Sequence, residues 1–150
     1  MRSTRGFTII ELLTVLAIVG ILTTMATVKY AAVLRQAKIA KAIGDIKAIQ
    51  TDLQAIEAGD APLPASLAAI GRGAMLDPWG NPYQYNPFAP GKKVPNGARR
   101  DRFLVPINST FDLYSMGEDG QTVAPLNAKQ SADDVIRAND GGFIGLAEKY

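Results

Sequence analysis

Residues 7–28 read FTIIELLTVLAIVGILTTMATV, 22 residues with a single charge, Glu11. As a helix this stretch is long enough to cross a bilayer, because about 20 residues rising ~1.5 Å each span a hydrocarbon core ~30 Å thick. Twelve of the 22 are Phe, Leu, Ile or Val. Each favours insertion by roughly 0.3–0.6 kcal/mol, about 4–7 kcal/mol together. Glu11 offsets only part of that, since a carboxylate costs at most about 3 kcal/mol at the bilayer centre and less near one end. A secretory signal peptide, with Arg2 and Arg5 as its basic region, fits poorly. The apolar run exceeds the ~7–15 residues of such a segment, contains an acid and lacks an A-x-A cleavage site. A plain membrane anchor explains length and hydrophobicity but gives no reason for the acid.

Downstream of Val28 the pattern turns amphipathic without a helix breaker. Ile39, Ile43, Ile46, Ile49, Leu53 and Ile56 recur at the spacing of one helical face, while Lys38, Lys41, Asp45, Lys47, Asp52 and Glu57 lie off it. Gly59, then Pro62 and Pro64, supply the stop. The expectation is one helix over residues 7–58, its first half in lipid and its second half covering a head. Two separate helices meeting at the Thr-rich stretch around Thr23 and Thr24 are the alternative.

Beyond the helix the grammar is that of turns and short strands. A short helical piece is expected over 65–70, a turn cluster over 77–82 (DPWGNP), and strand alternation at Tyr83 and Tyr85. Residues 86–101 form a Pro/Gly loop whose Lys92, Lys93, Arg99 and Arg100 read as a solvated basic face. Two further strands are expected at 103–107 (FLVPI) and 111–116 (FDLYSM). The fold class is therefore α+β: a long N-terminal helix, transmembrane in one half and amphipathic in the other, packed on a small antiparallel sheet.

Composition closes most catalytic repertoires. Neither cysteine nor histidine is present, which excludes disulfides, Cys/His zinc sites and His-dependent triads. Lys and Arg number 16 against 14 acids, and loss of Arg2 and Arg5 would leave 14 against 14, so no nucleic-acid footprint is visible. An oxygen-only site for a hard cation is still compatible with these residue types.

Residues 6–13, GFTIIELL behind a short basic leader, resemble the prepilin processing motif of the type IV pilin-like superfamily. The resemblance implies that a prepilin peptidase cuts between Gly6 and Phe7 and methylates the new Phe7 amine, so that residues 1–6 are a removed leader. Residues 7–28 then form the transmembrane and filament-core helix, and residues 29–150 the periplasmic head with the amphipathic half of the helix. An ammonium on Phe7 sits badly at the positive end of a helix dipole, and a carboxylate one turn on compensates it. Between subunits, Glu11 of one chain can meet the Phe7 amine of its neighbour and set register. The positive-inside rule is neutral or slightly reversed, because Lys29, Arg35, Lys38 and Lys41 follow the span closely. The resemblance nevertheless implies a cytoplasmic leader. Pilins commonly carry a proline near the end of the span, where this chain has Val28.

A second resemblance lies in the head. Residues 77–83 (DPWGNPY) followed by 111–120 (FDLYSMGEDG) are similar to paired motifs of the major, G-type pseudopilins of type II secretion systems, whereas 86–110 and 121–150 fit less well. The resemblance implies a calcium site after the second motif, with Asp119 and the Met116 carbonyl matching its motif positions and Asp133 and Asp134 matching the later acids. On the residues alone, Ser131 can instead cap a short helix that carries Asp133 and Asp134 in its first turn and ends before Gly141. It further implies a structural, non-enzymatic subunit drawn from the bacterial inner membrane into a helical, homo-oligomeric periplasmic filament. Its partners would be the lipid bilayer, prepilin peptidase, other pseudopilins and an inner-membrane assembly platform driven by a cytoplasmic ATPase. A subunit of a surface type IV pilus is the near alternative, although the C-terminal disulfide loop of many such pilins is impossible here. A membrane-tethered enzyme is the distant one, since no nucleophile–base pair or cofactor motif is present.

Overall fold

The computed structural model describes residues 6–59, 61–89, 91 and 93–150. Arg2 and Arg5 of the expected leader, and Lys92 of the basic loop, lie outside them. The chain forms two compact units, Met1–Ala37 and Lys38–Tyr150.

A single helix, α1, runs Ile9–Ala58, as the uninterrupted pattern predicts. Up to Lys38 every side chain described is exposed, including Ile9, Leu13, Leu16, Ile21 and Leu22. An 18-residue window of this part has mean hydropathy 2.3, so the helix is long and apolar enough to cross a membrane. Hydroxyls that would be costly in lipid are bonded back to the helix: Thr14 to the Ile10 carbonyl and Thr23 to the Val19 carbonyl, each at 2.7 Å.

The head holds four short strands, β1 (Gln84–Pro87), β2 (Phe111–Ser115), β3 (Val135–Ala138) and β4 (Phe143–Leu146), ordered 1-2-3-4 with every pair antiparallel. Ile46, Ile49 and Leu53 of α1 are fully buried, with Ala42 beside them, against Phe111, Leu113, Val135 and Leu146 on one face of the sheet. The period of two along β2 sends Asp112 and Tyr114 to the other face, where Ile107, Leu126, Ile136, Ala138 and Ala147 form a second core. That face is covered by the irregular chain between the strands. Arg137, itself buried, bridges the two layers by donating to Gln50 Oε1 on α1 and to the Phe111 carbonyl.

Three expectations need correction. The short helical piece is present as a 3-10 turn, Leu67–Ile70, but residues 103–107 are no strand. Asp101 and Leu104 close a tight turn there, Arg102 has φ 45° and Phe103 is fully exposed. Pro106, which lacks a ladder donor, comes two residues after Leu104, and Ile107 alone of the five enters the core. The tail is no capped helix either. Ser131 ends a 3-10 turn and exchanges bonds with the Val123 backbone, donating to its carbonyl at 2.8 Å and accepting its N–H at 3.1 Å, while residues 135–138 enter the sheet as β3. Asn139 and Asp140, at φ 51° and 54°, turn the chain into β4. Asn and Asp tolerate that left-handed region better than other residues. Thirdly, the basic loop is not wholly a solvated face. Arg100 and Lys93 are exposed, but Arg99 is 2% exposed and held inside the second core.

Candidate functional site

At the N-terminus, Thr8 stands immediately before the first turn of α1. Its backbone N–H and its hydroxyl both donate to Glu11 Oε2, at 3.2 and 3.0 Å, and the Glu11 N–H donates back to the Thr8 hydroxyl at 3.3 Å. This is a capping box, T-x-x-E, which satisfies donors that every helix start leaves open. Glu11 therefore has a local task besides its charge. The signal for it is local, the T-x-x-E spacing of Thr8-Ile9-Ile10-Glu11 ahead of an apolar run. Gly6 and Phe7, the expected processing pair, are both exposed, with Phe7 78% accessible.

In the head, the two resembling motifs are bonded to each other. Asp77 Oδ1 accepts the N–H groups of Trp79 and Asn81 at 3.0 and 2.8 Å, and the Asp77 N–H closes on the Asn81 carbonyl at 2.8 Å. Asp77 Oδ2 accepts the Ser115 hydroxyl at 2.5 Å, and Asn81 Nδ2 donates to the Gly117 carbonyl at 3.2 Å. A buried carboxylate thus shapes one turn and fastens it to the end of β2. Asp77→Ala would strand three donors near the core at about 1–3 kcal/mol each. A loss above ~3 kcal/mol is expected in urea unfolding followed by Trp79 fluorescence, whereas Asp77→Asn should cost visibly less.

The expected calcium ligands are placed in two groups. Asp133 Oδ2 accepts the Glu118 and Asp119 N–H groups at 2.7 and 3.0 Å, and Asp119 Oδ1 accepts the Gln121 N–H at 2.7 Å, all around the turn that begins at Met116. Asp134 points the other way. It is fully buried, and its Oδ2 accepts the Arg99 guanidinium and the Thr122 hydroxyl. The four residues do not form one ligand shell, and among the described residues no group of three or more Asp, Glu, His or Cys side chains is set to hold a metal ion. Burial pushes the Asp134 carboxyl up to about 6, against the Thr122 hydrogen bond and the Arg99 charge. Burial likewise raises Asp112, opposed by the Arg99 N–H and the Asn108 amide. It also raises Tyr83, whose hydroxyl donates to Asp45 on α1 at 2.9 Å.

Comparison with known proteins accords with both ends of this description. Residues 1–27 match the family model of the prokaryotic N-terminal methylation motif. The chain is 32% identical to the type II secretion system core protein G of Pseudomonas aeruginosa over 141 residues, covering 80% of this chain and 87% of that protein. It is 28% identical to the core protein G of Vibrio cholerae over 141 residues, covering 81% and 85%. No solved structure matches. With the methylation motif at its start, the stitched pair of motifs in its head and 32% identity over 80% of its length, this chain belongs to the family of the type II secretion system core protein G, the major pseudopilins among type IV pilin-like proteins.

Proposed function

We propose that this protein is a structural subunit of a type II secretion pseudopilus, a building block and not an enzyme. It is cut between Gly6 and Phe7 by a prepilin peptidase, methylated on Phe7, and anchored in the bacterial inner membrane with its leader cytoplasmic and its head periplasmic. From there it joins a helical periplasmic filament with further copies and other pseudopilins on the inner-membrane assembly platform, and growth of that filament assists protein export. The observation that carries this reading is the identity to core protein G over 80% of the chain, together with the methylation-motif match over residues 1–27. The physical support is the fully exposed apolar surface that α1 presents up to Lys38. In a single chain only lipid can cover it, and in a filament the same surfaces of neighbours can.

Processing is the direct test. Intact-mass analysis of protein recovered from membranes should show a chain that begins at Phe7 and carries one added methyl group. A mature chain beginning near Ala26 would make residues 1–25 a signal peptide and overturn the filament reading.

A further inference from the structure

We infer that Arg99 is the built-in cation of the tail loop, taking the carboxylate of Asp134, one of the four residues expected to hold calcium, so that the residues present do not fit that ion. The Arg99 guanidinium is almost completely buried and donates to three kinds of oxygen: the Asp134 carboxylate, the Thr122 hydroxyl at 2.5 Å and the Val123 carbonyl at 2.6 Å. Carboxylate and carbonyl oxygens drawn from one loop and one acid are the donor set of a hard cation. Here a guanidinium satisfies them, with its carbon 4.3 Å from the centre of the Tyr114 ring. Two atoms of the pair lack a partner, Arg99 Nε and Asp134 Oδ1. One is a donor and the other an acceptor, the complement that a bidentate fork uses. The remaining acids of the loop are answered by protein groups as well, Asp133 by two backbone N–H groups and Asp119 by one.

Arg99 comes from residues 86–110, which resemble the G-type motifs less well than the segments on either side. Its backbone is fixed from the sheet side, since its N–H donates to Asp112 Oδ2 at 2.7 Å. A divalent ion set on Asp134 would face a guanidinium within contact distance and would have to displace it. The head should therefore be stable without calcium.

The test melts the full-length chain in detergent, with Trp79, its single tryptophan, reporting on the head. Wild-type curves in millimolar calcium chloride and in EGTA should superimpose, and calorimetric titration with calcium chloride should be flat. One-to-one calcium binding, or a calcium-dependent rise of several degrees as saturation of a native-state site produces, would overturn the inference. Arg99→Ala should melt several degrees lower in EGTA and recover part of the loss in calcium but not in magnesium, because the vacated oxygens can then take the ion. Equal loss in all three buffers would reduce Arg99 to an ordinary buried ion pair and also sink the proposal. Arg99→Lys, which keeps a tethered cation, should fold and stay insensitive to calcium. If Arg99→Ala does not fold, the wild-type titration and Arg99→Lys decide the question.

Discussion

Glu11→Gln is expected to abolish filament assembly while leaving the chain in the membrane and its helix start intact. The structure makes glutamine the informative substitution, because Thr8 and residue 11 form a capping box that accepts Gln as well as Glu. The cap therefore survives and only the charge is lost. If Glu11 pairs across subunits with the Phe7 amine in the water-free filament core, removing it leaves an uncompensated ammonium, at about 3–5 kcal/mol for each contact. At ~1.4 kcal/mol per factor of ten, that weakens each subunit addition by more than a hundredfold. Insertion should be unaffected or improved, since a cost of at most about 3 kcal/mol leaves the span. Chemical crosslinking in intact cells should give the subunit ladder for wild type and none for Glu11→Gln or Glu11→Leu, with normal amounts of processed subunit in the membrane. Wild-type filaments from Glu11→Gln would reduce Glu11 to a helix cap.

How far the fold could be read from the chain depended on whether each signal was local. The stripe from Ile39 to Leu53 needed only helical spacing, and those residues do pack on the sheet. The turn at 77–82 was equally legible, because Asp77, Gly80 and Asn81 each have turn chemistry within a few residues. Residues 103–107 misled because composition suggested a strand while burial decided otherwise. A strand needs neighbours, and those places were taken by β3 and β4. These in turn were hidden by the acids Asp133 and Asp134, which imitate a helix start ahead of 135–138. The run Asn139-Asp140-Gly141-Gly142 between two short apolar runs, with left-handed φ at Asn139, Asp140 and Gly141, is the hairpin signal that joins β3 to β4.

The candidate site followed the same division. Gly6, Phe7 and Glu11 are visible as a motif, and Asp119 and Asp133 lie around one turn, the Asp119 N–H donating to Asp133 Oδ2. Asp134 was separated from them by a partner no local pattern could supply, since Arg99 lies 35 residues earlier in a stretch that reads as solvated loop. Its burial is a long-range fact. A basic residue flanked by Gly97, Ala98 and Arg100 carries no sign of whether it faces water or the core.

The same turn carries a further large expected effect on stability, from Gly117→Ala. Gly117 has φ +66°, and a Cβ built on it would lie 2.4 Å from the Asp133 carbonyl oxygen and 2.5 Å from its carboxylate. The left-handed conformation alone costs an alanine about 1–2 kcal/mol. The contact is with backbone, so Asp133 itself must move. Its carboxylate then loses the Glu118 and Asp119 N–H groups it accepts, at about 1 kcal/mol or more for each bond. The total exceeds ~3 kcal/mol, on the order of 10 °C in melting temperature for a head of this size. Gly120→Ala supplies the comparison. Gly120 has nearly the same φ, +64°, but its nearest obstacle is the tip of the Asn81 side chain at 3.3 Å. That variant should lose only the conformational part, so melts of the two followed by Trp79 fluorescence should differ by more than ~1.5 kcal/mol. Equal losses would mean that the close approach of this turn to Asp133 does not hold the tail against β2.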